Sequence, residues 1–301
     1  IIAGITDLTT EADAAESQKD SYGKLQFFSD FSIAPSYLIQ GTIDNSIPAW
    51  MNEDGTLNEN AVKEYLEQVN RIWQTQKNAI EETKKAYQMG DDWADSDHSG
   101  YMDISGSVTS LLAKVDTVAA GGLLSPEGLV SLDSARKVDP DLDYKLLNGQ
   151  SENCFYPRSA VGVSAKASEK EAAEKFVKFL FEEESQRASN TEGLAVNSKV
   201  YEDMAYWKMG KSSGDTIGSI GASYDTGDGN IKQIEMDEII PEDEAIQNIM
   251  DLGKTLTVPA KSNQIIRNAV TESGEKYLNG ETGLDDAVKE IMQEVNLYLS
   301  E

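Results

Sequence analysis

The chain has very few of the residues on which familiar catalytic and metal sites depend. Its 301 residues include one cysteine, Cys154, and one histidine, His98. An internal disulfide is therefore impossible, and a zinc site would need carboxylates alone beside the histidine. The sequence contains no G-x-S-x-G, H-E-x-x-H or phosphate-loop motif. It therefore predicts a protein that is not an enzyme, although its many carboxylates would also suit a glycosidase.

Basic residues and long apolar runs are also scarce. The chain has 26 lysines and arginines against 53 aspartates and glutamates, a net charge of −27. This charge repels a phosphate backbone or an anionic lipid surface, so we expect no nucleic-acid partner. No apolar run reaches the ~18 residues that a membrane span needs. With 39% hydrophobic residues the chain can still build a packed globular core.

The most informative segment runs over residues 148–197. Residues 155–164 (FYPRSAVGVS) predict a short apolar strand, and residues 168–171 (SEKE) match a capping box at the start of a helix. Apolar residues then follow at helical spacing, which predicts an amphipathic helix. They are Ala172, Ala173, Phe176, Val177, Phe179 and Leu180. The segment continues through EEESQ at 182–186 and closes on EGLAVN at 192–197.

This order of motifs resembles the hinge-crossing segment of bacterial extracellular solute-binding proteins of family 1, the sugar-type receptors of ABC importers. Residues 277–282 (YLNGET) and the apolar helix that follows them look like the C-terminal tail of the same family. The resemblance implies an α/β fold of the periplasmic-binding-protein-like type II, here mainly its second lobe with part of the first. It also implies a carbohydrate or oligosaccharide ligand held between lobes, no cofactor, and ABC permease subunits as partners.

The resemblance further implies a location and a domain organisation. Such a receptor would be an extracellular, membrane-anchored lipoprotein or a periplasmic protein, with its lipid anchor missing from this chain. Nothing near Ile1 resembles the strand-helix-strand unit that opens the first lobe of the family. We therefore expect residues 1–143 to form the first part of the second lobe, 144–195 a hinge strand and an excursion into the first lobe, and 196–301 the C-terminal helices of the second lobe.

Local patterns predict the remaining elements. Asn58 or Asn60 can cap a long helix whose apolar stripe runs from Val62 to Ile80 and which Gly90 ends. Residues 101–105 predict a strand, and a helix follows from Ser107. Prolines at 126 and 140 indicate loops, and residues 201–229 show little regular pattern. Helices are expected to resume near 241 and 262.

Sugar binding needs flat aromatic surfaces against C–H faces and multidentate polar groups against hydroxyls. Several residues of these types fall at places that the resemblance puts beside the cleft. They are Ser105, Ser107, Tyr156, Arg158, Asn263, Gln264 and Arg267. Three of them have a structural alternative, because Ser107 would also serve as a helix cap and each arginine would also form a salt bridge with one of the many acids. Trp93 is a further candidate from its polar sequence context, and Trp93 and Trp207 are each either a ligand platform or a lid over the core.

One segment has the beginning of a calcium loop. Residues 95–103 follow the D-x-D-x-S-G opening, but Gly106 occupies position twelve, where a bidentate glutamate belongs. The sequence therefore predicts no metal site. A second function remains open at this point, a cell-surface interaction or adhesion lipoprotein that uses the same lobe without transport.

Overall fold

A computed structural model of the protein describes residues 6–7, 9–10, 35–87, 108–114, 125–143, 146, 148–157, 159–188, 193–225 and 230–299. Over these residues the protein combines helices with small sheets. This mixture agrees with the predicted α/β class at the level of secondary-structure content. None of the helices over the described residues combines the length and apolarity that a membrane span requires.

Over the described residues, the helices before residue 150 precede the first strand. They are α1 (Pro35–Thr42), α2 (Ile47–Trp50), α3 (Glu59–Tyr87), α4 (Val108–Ala113) and α5 (Pro126–Val138), with a 3-10 turn (Ile43–Asn45) between α1 and α2.

Helices and short strands alternate in the rest of the chain. In order they are β1 (Cys154–Phe155), α6 (Lys170–Leu180), α7 (Glu183–Ala188), α8 (Ser198–Tyr201), α9 (Met204–Trp207), β2 (Thr216–Asp225), β3 (Ile231–Ile239), α10 (Asp243–Lys254), β4 (Val258–Pro259), α11 (Gln264–Leu278) and α12 (Leu284–Leu299). Strands β1 and β4 pair in parallel, and β2 and β3 form an antiparallel hairpin.

The largest hydrophobic core joins α1, α2 and α3 to the last two helices. The predicted stripe of α3 is confirmed from Val62 to Trp73, all of it buried, and the side chain of Asn58 accepts a hydrogen bond from the Ala61 amide at 3.2 Å. Trp50 and Tyr65 meet edge to face in this core, 5.1 Å apart. The long helix is therefore held by apolar side chains that come from both ends of the chain.

A second core surrounds Trp207, which is completely buried and donates its indole N–H to the Tyr201 carbonyl at 2.7 Å. Ile246, Ile249 and Met250 of α10 pack against it. The interpretation of Trp207 as a ligand platform is therefore wrong. The indole serves as core because its apolar rings pack inside while its one polar group finds a carbonyl.

A hairpin begins within the region that showed little regular pattern, where β2 covers Thr216–Asp225. Strands β2 and β3 pair from Thr216↔Ile239 to Asp225↔Ile231. One face of the hairpin packs Ile220, Ile234 and Met236 against α4 and α5. The prediction for residues 201–229 was wrong because β2 intersperses Ile217 and Ile220 with glycine and serine, which weakens the strand signal.

Helix α5 corrects the interpretation of Pro126 as a loop residue. Ser125 is the N-cap, and its hydroxyl accepts a hydrogen bond from the Gly128 amide at 3.0 Å. Pro126 stands at the first helical position, where its missing N–H costs no hydrogen bond. The Ser-Pro-Glu sequence is thus a helix start, not a turn.

Helix α6 forms close to the predicted place, but not with the predicted cap. It begins at Lys170 with Glu169 as N-cap, and no side-chain capping bond is made. The strand before it is also shorter than predicted, since β1 ends at Phe155. None of the residues of α6 is buried, whereas α3 lies at the centre of the largest core. The division of the chain near residues 143 and 195 stays a prediction.

Gly274 lets α11 approach the first helices closely. A Cβ added there would lie 2.8 Å from Cδ1 of Ile39 and 3.1 Å from Cδ2 of Leu66. We expect Gly274→Val to lower the free energy of unfolding by about 1–3 kcal/mol, because the added methyl groups overpack a filled core. Chemical denaturation measures the loss.

The matched control is Glu272→Val, which places the same β-branched residue at an exposed position of the same helix. It should cost less than about 1 kcal/mol, the range of helix propensities. Equal losses in both variants would show that Gly274 is not a close-packing position.

Candidate binding site

The predicted hinge segment and the segment before α11 lie side by side. Strand β1 pairs with β4 in the register Cys154↔Val258 and Phe155↔Pro259. The Ala260 amide donates to the Phe155 carbonyl at 2.8 Å. This pairing places residues 155–157 next to residues 259–263. It therefore brings together two segments that contain residues predicted to contact a ligand.

A turn over residues 148–153 positions β1. Gly149 lies against the 3-10 turn, and a Cβ added there would be 3.2 Å from Cβ and 3.3 Å from the carbonyl oxygen of Asn45. Gln150 accepts a hydrogen bond from the Trp50 indole and donates one to the Ala61 carbonyl at 2.8 Å. The turn is thereby fixed to α2 and α3, and the strand that follows it is fixed as well.

Aromatic surface is exposed at the end of β1. Tyr156 is 53% exposed and Phe155 is 38% exposed. An aromatic ring with this much exposed area is an apolar surface of the kind that sugar C–H faces contact. Of the predicted aromatic candidates, Tyr156 is thus placed where a ligand can reach it.

The start of α11 uses Asn263 and Gln264 in local hydrogen bonds, and their predicted contact with a ligand stays a prediction. Asn263 is the N-cap, and its Oδ1 accepts hydrogen bonds from the amides of Ile265 and Ile266 at 3.0 and 3.2 Å. Gln264 donates its side-chain amide to Oδ1 of Asn268 at 2.7 Å. The oxygen of Asn263 is therefore engaged in capping. Its Nδ2 group has no hydrogen-bond partner among the residues that the structure describes.

Arg267 forms the salt bridge that was one of its two predicted roles. Its Nη1 lies 2.6 Å from Oδ1 of Asp44, whose side chain is only 3% exposed. Burial raises the pKa of the Asp44 carboxyl above its usual value, and the hydrogen bond and charge of Arg267 oppose that rise. The guanidinium also faces the Gln40 carbonyl at 3.5 Å. Arg267 therefore joins α11 to the 3-10 turn and to α1.

Asp44 was missed by sequence reasoning. The sequence feature that could have identified it is its position as the single acid in residues 41–50 (GTIDNSIPAW), which are otherwise uncharged. An acid in such a run needs a cationic partner if the run is buried. The backbone carbonyl of Asp44 also accepts a hydrogen bond from the Lys261 amide at 3.2 Å. Asp44 thus holds both the β4 segment and α11.

Four predicted site residues, Trp93, Ser105, Ser107 and Arg158, lie outside the described residues, and so does the calcium-like loop at 95–103. Helix α4 begins at Val108, directly after Ser107. Over the described residues, no group of three histidine, cysteine or acidic side chains is arranged to hold a metal ion.

The described site contains groups that can contact a polar ligand. Cys154 is half-buried, and burial raises its pKa and so disfavours the reactive thiolate. Asp44 is already paired with Arg267. The exposed rings of Phe155 and Tyr156, a capping amide and backbone carbonyls can orient a polar ligand.

Models of known protein families give no match to the chain, and no curated protein matches it.

The ion pair predicts a pH-dependent effect of Arg267→Ala. Removing the arginine leaves a buried carboxylate unpaired, so we expect the free energy of unfolding near pH 7 to fall by about 3 kcal/mol. The pKa of Asp44 in the folded state should rise further. Only the ionised carboxyl is destabilised by the loss of its partner. The loss in free energy of unfolding should therefore shrink as the pH falls toward the pKa of an aspartate in the unfolded chain, about 3.9. Urea denaturation at several pH values measures it.

Two controls separate this effect from a general loss of charge. Arg187→Ala removes an exposed arginine that pairs with Glu183 and Asp203, and it should cost less than about 1 kcal/mol. Adding Asp44→Asn to Arg267→Ala should recover part of the loss at pH 7. A loss of the same size at pH 4.5 and pH 7 would contradict the assigned role of the pair.

Proposed function

We propose that this protein is a substrate-binding receptor of an ABC importer that binds a carbohydrate or oligosaccharide without converting it. In this proposal the chain has the periplasmic-binding-protein-like type II fold, mainly its second lobe, and residues 144–195 cross the hinge. The permease subunits are its protein partners, and the receptor works outside the cytoplasmic membrane, as a surface lipoprotein or in the periplasm. The resemblance of residues 148–197 and 277–299 supports this assignment.

The observation that carries the proposal is the parallel pairing of β1 with β4. It sets the exposed ring of Tyr156 beside the polar segment that leads into α11, within one short stretch of surface. A sugar needs both an apolar platform and hydrogen-bonding groups at its edge. The Nδ2 group of Asn263, which has no partner over the described part of the chain, can donate there, and the exposed Lys261 supplies a cation.

Backbone hydrogen bonds hold this surface in place. The amides of residues 257–261 other than Pro259 donate to the carbonyls of Asn153, Phe155 and Asp44, and Arg267 fixes the first turn of α11 through Asp44. A ligand that binds a fixed surface loses less free energy to ordering of the protein. In this mechanism the second half of the cleft closes over the ligand, and the closed receptor then docks on the permease.

Ligand binding tests the proposal directly. We expect saturation-transfer difference NMR with a panel of neutral mono- and oligosaccharides to detect a weak ligand, because one lobe alone covers less than the ~70–90% of ligand surface that closed sites bury. Tyr156→Ala should weaken that binding by about tenfold, or about 1.4 kcal/mol, through loss of the platform. The fold should remain intact because the side chain is exposed.

The matched control is Tyr298→Ala, which removes a tyrosine that is 44% exposed on α12. It should leave binding unchanged. If no saccharide binds, or if Tyr156→Ala and Tyr298→Ala bind alike, the assigned site is wrong. Turnover of chromogenic glycosides by the wild-type protein would instead identify a glycosidase.

A further inference from the structure

Lys261 differs from every other basic residue of the chain in its sequence surroundings. Its nearest acids are Asp251 and Glu272, ten and eleven positions away. Every other lysine or arginine has an acid within six positions, as expected for a chain with 53 acids and 26 basic residues. The charge of Lys261 therefore has no local acid to neutralise it.

The acid that the fold brings next to Lys261 is already engaged. The backbone amide of Lys261 donates to the Asp44 carbonyl at 3.2 Å, so the two residues are neighbours. The Asp44 carboxylate is buried and binds Nη1 of Arg267 at 2.6 Å. Among the described residues, Lys261 takes part in no ion pair. Its ammonium group thus remains available to a ligand.

Lys261 lies on the exposed face of the short parallel sheet. Along β4 and the residues that flank it, exposed positions alternate with buried or half-buried ones. The exposed positions are Thr257, Pro259 and Lys261, and the others are Val258 and Ala260. Since the side chains of an extended chain alternate between two faces, Lys261 shares its face with Pro259.

Phe155 belongs to the same face. It is the register partner of Pro259, and partners in a parallel pair have their side chains on one face of the sheet. The Phe155 side chain is 38% exposed. An aromatic ring, a proline ring and an ammonium group therefore share one exposed face. We call Phe155, Pro259 and Lys261 together the β1–β4 face. Tyr156 follows Phe155 at the same end of the sheet as Lys261.

The local charge of this face is opposite in sign to that of the chain. At physiological ionic strength, charges farther than about 8 Å are largely screened, so the net charge of −27 contributes little at contact distance. The segments that form the sheet, residues 153–157 and 252–271, contain no acid. The charge that a ligand contacts on the β1–β4 face is therefore that of Lys261.

We propose that the β1–β4 face selects a saccharide that carries an anionic group, and that Lys261 is the residue that recognises this group. The inference rests on the proposed function and narrows its ligand class. A C–H face of the sugar contacts Phe155 and Pro259, and its carboxylate or sulfate accepts hydrogen bonds from the Lys261 ammonium. Because an ammonium group is a compact charge with three rotatable donors, it accommodates either oxyanion.

Matched saccharides test the proposal. Chemical-shift titrations of the full chain with glucose, glucuronate and glucose 6-sulfate, at about 0.15 M salt, compare ligands that differ in one group. We expect the wild type to bind both anionic sugars about fivefold more tightly than glucose, the preference that an exposed ion pair supplies. Lys261→Gln should abolish the preference and leave the affinity for glucose unchanged. Lys261→Arg should retain the preference, because it keeps the charge.

The control Lys289→Gln removes the same charge from an exposed position of α12, close in sequence to Asp285, Asp286 and Glu290. It should bind all three sugars like the wild type, and circular dichroism verifies that each variant is folded. If the wild type binds glucose and glucuronate equally, the inference is wrong and the proposed function stands. A preference that survives Lys261→Gln, or that Lys289→Gln also removes, overturns the role of Lys261. Binding of no saccharide, neutral or anionic, overturns the proposed function and this inference together.

Discussion

The described structure depends on one buried carboxylate being satisfied. Asp44 sits where the first helices, the β4 segment and α11 meet, and its charge is tolerable there only because Arg267 enters from α11. The same residue receives the Lys261 amide on its backbone carbonyl. Three segments that are distant in sequence are thus aligned by one acid and one base. This alignment also positions the exposed surface around Tyr156, because β1, which precedes Tyr156, pairs with β4.

Features set by neighbouring residues could be predicted from the sequence, and features set by distant residues could not. The stripe of α3 and its Asn58 cap follow from local spacing and local hydrogen bonding. The partner of Arg267 is Asp44, and no local pattern links them. The hairpin of β2 and β3 was missed for the same reason, since its small residues become a strand only when opposite Ile234 and Met236.

The candidate site shows the same division. Sequence reasoning placed Tyr156 and the start of α11 in one site, and β1 and β4 do bring them together. It did not foresee that the oxygen of Asn263 would be engaged in capping or that Gln264 would bond to Asn268. A residue type suited to a ligand is equally suited to a helix terminus, and the backbone amides of the first turn are the nearer partners.

The composition of the largest core has a consequence for synthesis of the chain. Helices α1 to α3 are made long before the residues that close their core, among them Ile266, Val270 and Ile291. While the ribosome adds the intervening segments, the apolar stripe of α3 lacks its permanent neighbours and must be shielded transiently. Contacts between such distant segments also slow folding, because a long loop has to close before any of them forms. The N-terminal helices therefore reach their final packing only after α12 has emerged.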